Sequence, residues 1–240
     1  MKVLQILPQL NIGGVERGTL DLSKALINKG HESFVISGGG ILVDELTQNG
    51  AKHYEIPVHI KSLRTLSLAK RLSEIISTID PDIVHVRSRM PAWVNYRAFK
   101  KLQKKPLLIS TFHGLYSFPV YSKVMSFVDH SIAISKTVEN YILENYKLDK
   151  ADISVIPRGC DPIEFNNDLI NPADKANIIK EFPQIVGKKV LTIPGRITKW
   201  KGVAEFIELL SLLDDNYHGL IVGPTAKSKK KYLNKLQDKV

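Results

Sequence analysis

A doubly wound α/β fold, with a mostly parallel sheet covered by helices on both faces, is the class this sequence predicts. Two observations carry the prediction. Short runs rich in β-branched and large apolar residues alternate with longer stretches of helical period, the mark of repeated βα units. Between Asp161 and Val186 the apolar runs lapse, and after that the same alternation starts again.

The first strand is expected at 3–7, where Val3, Leu4, Gln5, Ile6 and Leu7 form the run, and the first helix around Val15, Leu22 and Leu26. Further strands are expected at 33–37, 53–56, 83–86, 107–111, 131–134 and 153–156. Helices fill most of the gaps, notably 66–79, whose apolar side carries Leu72, Ile75, Ile76 and Ile79. The Gly38-Gly39-Gly40 run is expected to be a loop. Pro162, Asn166-Asn167, Asn171-Pro172 and Pro183 read as turns and a linker. The expected organisation is a Rossmann-like domain at 1–170, a linker at 171–187 and a second domain at 188–240. That second domain opens with a strand at 189–193, a helix at 204–213, a strand at 219–222 and a lysine-rich helix to Val240. Two full domains of this kind need roughly 300 residues, and the last helix stops without Gly, Asn or Pro. The second domain is therefore expected to be cut short.

Composition bounds the function. With 43% hydrophobic and 24% charged residues in 240, the chain falls in the range of ordinary globular proteins with a sizeable core. Its N-terminal apolar run is short and lacks a small-residue cleavage site, and no later run approaches the ~20 apolar residues of a membrane span. A cytoplasmic location is the expectation. The single cysteine, Cys160, excludes an intramolecular disulfide and a Cys-rich metal site. The formal net charge of +10 fits phosphorylated substrates, an anionic membrane surface or nucleic acid. Much of the excess sits in two clusters, Lys100-Lys101 with Lys104-Lys105, and Lys227 with Lys229-Lys230-Lys231. No nucleic-acid recognition motif accompanies them, so nucleic acid is not an expected partner. Peripheral contact with an anionic membrane is a further expectation, from basic clusters near apolar side chains such as Trp93 and Phe99.

In a doubly wound sheet, ligands bind outside the carboxyl ends of the strands, so each candidate residue can be tested for whether it follows one. Gly13-Gly14 follows the first strand and opens the first helix, where missing side chains let a phosphate or sugar approach the backbone. Glu16 and Arg17 lie on the same helical turn and could face a ligand bound there. Arg87 and Arg89 follow the strand at 83–86 and suit an anionic ligand such as a phosphorylated sugar or lipid. His113 directly follows the run from Leu107 to Phe112, with Gly114 beside it. In the second domain, Leu191 to Gly202 delivers Arg196 and Lys201 to one strand-to-helix turn, where two cations and the open N–H groups of a helix suit a diphosphate. A dinucleotide reading fails. Gly13 to Gly18 is not G-x-G-x-x-G, and the second strand ends in Ser37-Gly38 without an acidic residue for a ribose. Asp80-Pro81-Asp82 precedes its strand, so it belongs to the wrong sheet edge for a metal site and reads as a turn.

The run Gly195-Arg196-Ile197-Thr198-Lys199-Trp200-Lys201-Gly202 resembles the signature of retaining glycosyltransferase family 4, enzymes that use nucleotide-sugar donors. The resemblance extends over nearly the whole chain. It includes Leu7 to Arg17, Thr111-Phe112-His113-Gly114 and Ile156-Pro157-Arg158-Gly159-Cys160-Asp161. The run His85 to Trp93 is similar to a subgroup acting in bacterial lipopolysaccharide or surface-polysaccharide synthesis. The resemblance implies a GT-B architecture of two Rossmann-like domains, and a nucleotide-diphosphate sugar as donor with no cofactor and no metal. It further implies a saccharide or glycolipid acceptor, on whose side Glu16, Arg17, Arg87 and Arg89 would lie. Gly13, Gly14, Arg196 and Lys201 would then hold the diphosphate, with a backbone N–H from Gly14, and His113 would orient the donor sugar at the reacting centre. Arg158 stands where many relatives have asparagine, and Cys160 where they have valine, which leaves the role of Arg158 open. The family's Glu-x7-Glu motif is expected beyond residue 240, so a catalytically silent fragment is the alternative expectation.

Overall fold

The computed structural model describes residues 1–60, 62–116, 119–163, 165–225 and 230–239. The chain divides into two compact units, Met1–Gly159 and Cys160–Val240.

In the first unit, strands β1 (Lys2–Ile6), β2 (Glu32–Ser37), β3 (Lys52–Glu55), β4 (Ile83–Val86), β5 (Leu107–Phe112), β6 (His130–Ala133) and β7 (Ile153–Val155) form one sheet in the order β3-β2-β1-β4-β5-β6-β7. Every pairing is parallel. The helices between them are α1 (Gly14–Asn28), α2 (Val43–Gln48), α3 (Ala69–Ile79), α4 (Arg89–Phe99), the single turn α5 (Pro119–Ser122) and α6 (Lys136–Asn145). The sheet first grows outward from β1 through β2 to β3, then resumes on the other side of β1 with β4. That reversal opens a crevice at the carboxyl ends of β1 and β4.

Helices on both faces bury the central strands completely, which is why they read as near-continuous apolar runs. Leu4, Ile6, Phe34, Ile36, Val84 and Val86 share the larger core with Leu72, Ile76 and Ile79 of α3. A second core on the opposite face joins Leu7, Leu20, Val35 and Leu46. The apolar side expected for the helix at 66–79 is the side that packs, although the α-helix begins only at Ala69, after a 3₁₀ stretch. In α1 the outcome differs. Leu22 and Leu26 are half-buried, while Thr19 and Ser23 are fully buried beside Leu20, because the helix lies over a polar strand residue, Gln5. Gln5 Nε2 donates to Thr19 O at 3.2 Å and to Ser23 Oγ at 2.9 Å.

The turn at Asp80-Pro81-Asp82 lies at the amino edge of the sheet, as expected. Asp80 ends α3 in the left-handed region (φ 46) and pairs with Lys104, and Asp82 accepts from the backbone N–H of Lys2. Among the described residues no group of three or more His, Cys, Asp or Glu is placed to hold a metal ion, and no helix is long and apolar enough to cross a membrane.

The second unit contains α7 (Pro172–Glu181), β8 (Lys189–Pro194), α8 (Val203–Leu210), β9 (Tyr217–Val222) and α9 (Lys230–Gln237). The segment expected as linker thus carries a helix. Asn171-Pro172, read as a turn, starts it: the Asn171 side chain accepts from Ala173 N at 2.9 Å, and Pro172 occupies a first-turn position where its missing N–H costs nothing. β8 and β9 pair in parallel. Ile197, Val203, Ile207 and Leu236 form a small core there. Leu191, Ile193, Leu220 and Ile221 are half-buried. Lys227 and Lys229 of the second basic cluster lie outside the described residues.

Candidate active site

Four basic side chains gather at the carboxyl edge of the first sheet. His85 and Arg87 come from β4 and its end, His113 follows β5, and Arg158 follows β7. Arg87 is only 5% exposed, and its Nη1 donates to Oε1 of Gln5 at 2.8 Å. Gln5 therefore bridges α1 and Arg87, accepting from the arginine while donating to Thr19 and Ser23. Burial, followed by the neighbouring Arg158 charge, lowers the Arg87 pKa to about 10, which leaves it charged at neutral pH.

Arg158 Nη2 donates to Nδ1 of His113 at 3.1 Å. Arginine has donors only, so Nδ1 accepts and the neutral ring carries its proton on Nε2. That Nε2 is buried without a hydrogen-bond partner among the described residues. Burial, with the Arg87 and Arg158 charges, lowers the His113 pKa to about 3. His113 is thus a neutral donor with a free N–H, suited to a sugar hydroxyl and unsuited to charge-pairing. His85 is buried behind it, its Nε2 2.7 Å from Thr111 Oγ1, and burial holds its pKa well below the ordinary value.

The other first-unit candidates take different places. The Glu16 carboxylate folds back over Gly13, so strongly that a side chain at Gly13 would collide with it. There its charge complements the positive end of α1, the position a ligand phosphate would take. Gly14 faces open space, with nothing within 4 Å of where a Cβ would stand. Arg17 pairs with Glu45 at 2.5 Å, which ties it to α2. Arg89 lies at the start of α4 with its guanidinium over the rings of Tyr116 at 4.8 Å and Tyr121 at 5.4 Å, and donates to Ser122 Oγ at 3.4 Å. It does not join Arg87, and Arg158 takes that place. Gln5 and Gly18 are site residues that motif reading missed, while His85 and Thr111 stood inside the quoted motifs without an assigned role. A glutamine inside an otherwise apolar central strand was the available signal for the first.

In the second unit, β8 ends at Pro194, and a 3₁₀ turn at Lys199–Lys201 leads to Gly202, which starts α8 with φ 74. Gly195 N–H and Ile197 N–H donate to Val222 O and Pro224 O, so the turn is pinned to the end of β9. Buried Ile197 anchors it from below, while Arg196 and Lys201 stay exposed on either side. The Lys201 stem lies over Gly195, with its ammonium 5.0 Å from the centre of the Trp200 ring. Among the described residues neither Arg196 nor Lys201 forms an ion pair. No side chain caps α8, so its first N–H groups stay open.

A doubly wound parallel sheet with basic groups at its carboxyl edge, followed along the chain by a second unit whose β8–α8 turn carries Arg196 and Lys201, is the GT-B fold. The chain belongs to Glycosyltransferase Family 4, whose family model matches residues 12–164. It is similar to a glycosyltransferase from Rickettsia africae ESF-5, with a TM-score of 0.83 and 33% identity over 99% of this chain and 64% of that one. Anabaena Alr3699/HepE in complex with UDP and glucose shares the fold, with a TM-score of 0.80 at 17% identity, over 100% of this chain and 65% of that one. An uncharacterized glycosyltransferase of Methanocaldococcus jannaschii is 33% identical over 54% of this chain and 36% of its own length. The chain thus spans about a third of that curated relative and just under two thirds of the two solved structures.

Proposed function

We propose that this chain takes part in moving a sugar from a nucleotide-diphosphate sugar to a saccharide or glycolipid acceptor, with retention at the anomeric carbon. The observation that carries the reading is the pair Arg196 and Lys201. Two exposed cations without ion pairs among the described residues stand at the uncapped start of α8, and a diphosphate leaving group supplies the charge they lack. The Anabaena relative's complex with UDP fits the same donor class.

In this reading the bond between the anomeric carbon and the diphosphate oxygen breaks while Arg196 and Lys201 neutralise the growing charge, a task a divalent metal performs elsewhere. The acceptor hydroxyl forms the new bond from the face the diphosphate leaves, and its proton passes to the departing phosphate oxygen. His113 donates from Nε2 to a donor-sugar hydroxyl, Gly14 N–H approaches the diphosphate, and no protein base is needed. The family's likeness to lipopolysaccharide and surface-polysaccharide enzymes suggests that pathway and the cytoplasmic side of the membrane. Membrane contact would rest on lysines alone, since Phe99 is buried and Trp93 donates its Nε1–H to Tyr121 O at 2.9 Å.

Calorimetric titration of UDP-, GDP- and ADP-sugars into the 240-residue chain tests this, beside an Arg196→Ala, Lys201→Ala double variant. Binding by the parent that disappears in the double variant is expected. A folded chain that binds none of the three donors would instead favour a silent fragment.

A further inference from the structure

Arg87 and Arg158 converge on one spot above Gly18. A Cβ at Gly18 would collide with Nη1 of Arg158 and would stand 3.4 Å from Nη2 of Arg87. Two guanidinium groups therefore share the same patch of helix α1, one buried and one exposed. Among the described residues neither forms an ion pair. The carboxylates that face them, Asp21 and Glu16, act on both arginines, yet burial outweighs them and both pKa values stay below the ordinary arginine value. Like charges held this close in a partly dry site repel each other unless an anion lies between them.

Donor capacity is also left over. Arg87 Nε is buried without a partner among the described residues, and so is the Nε2–H of His113, whose other nitrogen is fixed by Arg158. Gly18 itself supports the same conclusion. Glycine is among the poorest helix formers, and it stands inside α1 at the position where any side chain would push the Arg158 guanidinium away.

We infer that Arg87 and Arg158, seated across Gly18, bind a phosphate-type oxyanion carried by the acceptor. The site rests on the geometry of the first unit alone, while the assignment to an acceptor rests on the glycosyl-transfer reading. Arg87 is the fixed half, locked by Gln5, and Arg158 is the half that Gly18 admits. A phosphate monoester matches the donors in charge and in number of acceptor oxygens. The donor's diphosphate is the other source of the same chemistry, and it is separable by experiment.

The test titrates inorganic phosphate, a sugar phosphate and UDP into the full chain and three variants: Gly18→Ala, Arg158→Met and the Arg196→Ala, Lys201→Ala double variant. Phosphate and sugar phosphate are expected to bind saturably and to weaken about tenfold or more in Gly18→Ala and Arg158→Met, with no change in the double variant. UDP is expected to show the reverse pattern. Because Gly18→Ala moves only the tip of a flexible side chain and improves helix propensity, its melting temperature should equal or exceed the parent's, so a binding loss is not a folding loss. Bound phosphate should also raise the His113 pKa, read from its ring resonances. Phosphate affinity that ignores Gly18→Ala and Arg158→Met, or that vanishes only in the double variant, would overturn the site. UDP affinity that falls with Gly18→Ala would overturn the acceptor assignment and give the oxyanion to the donor. A parent chain that binds UDP but no phosphate would sink this inference while leaving the donor reading intact.

Discussion

The Arg158 guanidinium donates to Nδ1 of His113 at 3.1 Å, and this one bond decides which nitrogen of the histidine holds the proton. The imidazole then offers a single N–H, at Nε2, to whatever occupies the site. Nitrogen-detected spectra of labelled protein should show Nδ1 of His113 as unprotonated and hydrogen-bonded and Nε2 as protonated, unchanged between pH 8 and pH 5, since the pKa lies at about 3. In Arg158→Met the tautomer preference should relax. His113→Gln, which keeps an N–H near the Nε2 position, should retain more donor-sugar affinity than His113→Ala. If the ring instead titrates near the ordinary histidine value, the electrostatic account of the site is wrong.

The same burial makes stability depend on acid. Both His85 and His113 resist protonation in the folded state, while in the unfolded chain they take up a proton near the ordinary value of 6.5. Below that value the unfolded state binds more protons than the folded one, so both histidines make stability fall as pH drops below about 6.5, and for His113 the loss continues toward 3 at up to about 1.4 kcal/mol per pH unit. Urea midpoints across that window should decline in the parent and decline less in a Thr111→Val, His85→Leu variant, which removes one of the two groups. An equal decline in both would deny His85 its part.

Much of this was legible in the sequence, and what was not has physical causes. Parallel strands buried on both faces leave unmistakable apolar runs, and the strand at 83–86 coincides with β4. The helix at Pro172–Glu181 was hidden because it buries nothing, so it lacks an apolar stripe, and its Asn171-Pro172 start is chemically the same signal as a turn. At the site, strand ends located Arg87 and His113 correctly on the carboxyl edge. Pattern alone does not separate Arg87 from Arg89: two residues along the chain, one side chain lies beneath α1 and the other lies on tyrosine rings. The coupling of Arg158 to His113 across 45 residues depends on which strands neighbour each other, and no local motif carries that information.

Gly14 tests whether the glycine pair serves the fold or a ligand. A methyl group there meets no atom within 4 Å, and at the first position of α1 alanine is at least as well tolerated as glycine. Gly14→Ala should therefore match or exceed the parent in urea stability, while calorimetric affinity for a nucleotide-diphosphate sugar falls. Unchanged affinity would remove the Gly14 N–H from the diphosphate site.

Gly202 is a different case, because its φ of 74 is left-handed. Any side chain at that conformation costs about 1–2 kcal/mol. Gly202→Ala should loosen the turn that carries Lys201 and the start of α8. Hydrogen exchange should quicken across 189–222 and stay unchanged across 1–159. Uniform acceleration over both units would mean that the turn's strain is felt well beyond its own sheet.

Gln5 is the residue on which the buried end of the site turns. It accepts from Arg87 Nη1 and donates to Thr19 and Ser23 within a completely buried seam. Gln5→Leu has nearly the same shape but leaves a charged donor without its acceptor, which should cost about 2–3 kcal/mol or more. The double variant Gln5→Leu, Arg87→Met removes the stranded charge as well and replaces the pair with apolar groups of similar length. It should recover most of the loss, because an apolar replacement of a buried polar pair is often close to neutral whereas half of a pair is not. A double-variant cycle on urea midpoints at constant m-value measures the coupling directly. Simple additivity of the two single losses would show that Gln5 and Arg87 stabilise the unit independently, with the 2.8 Å contact between them energetically idle.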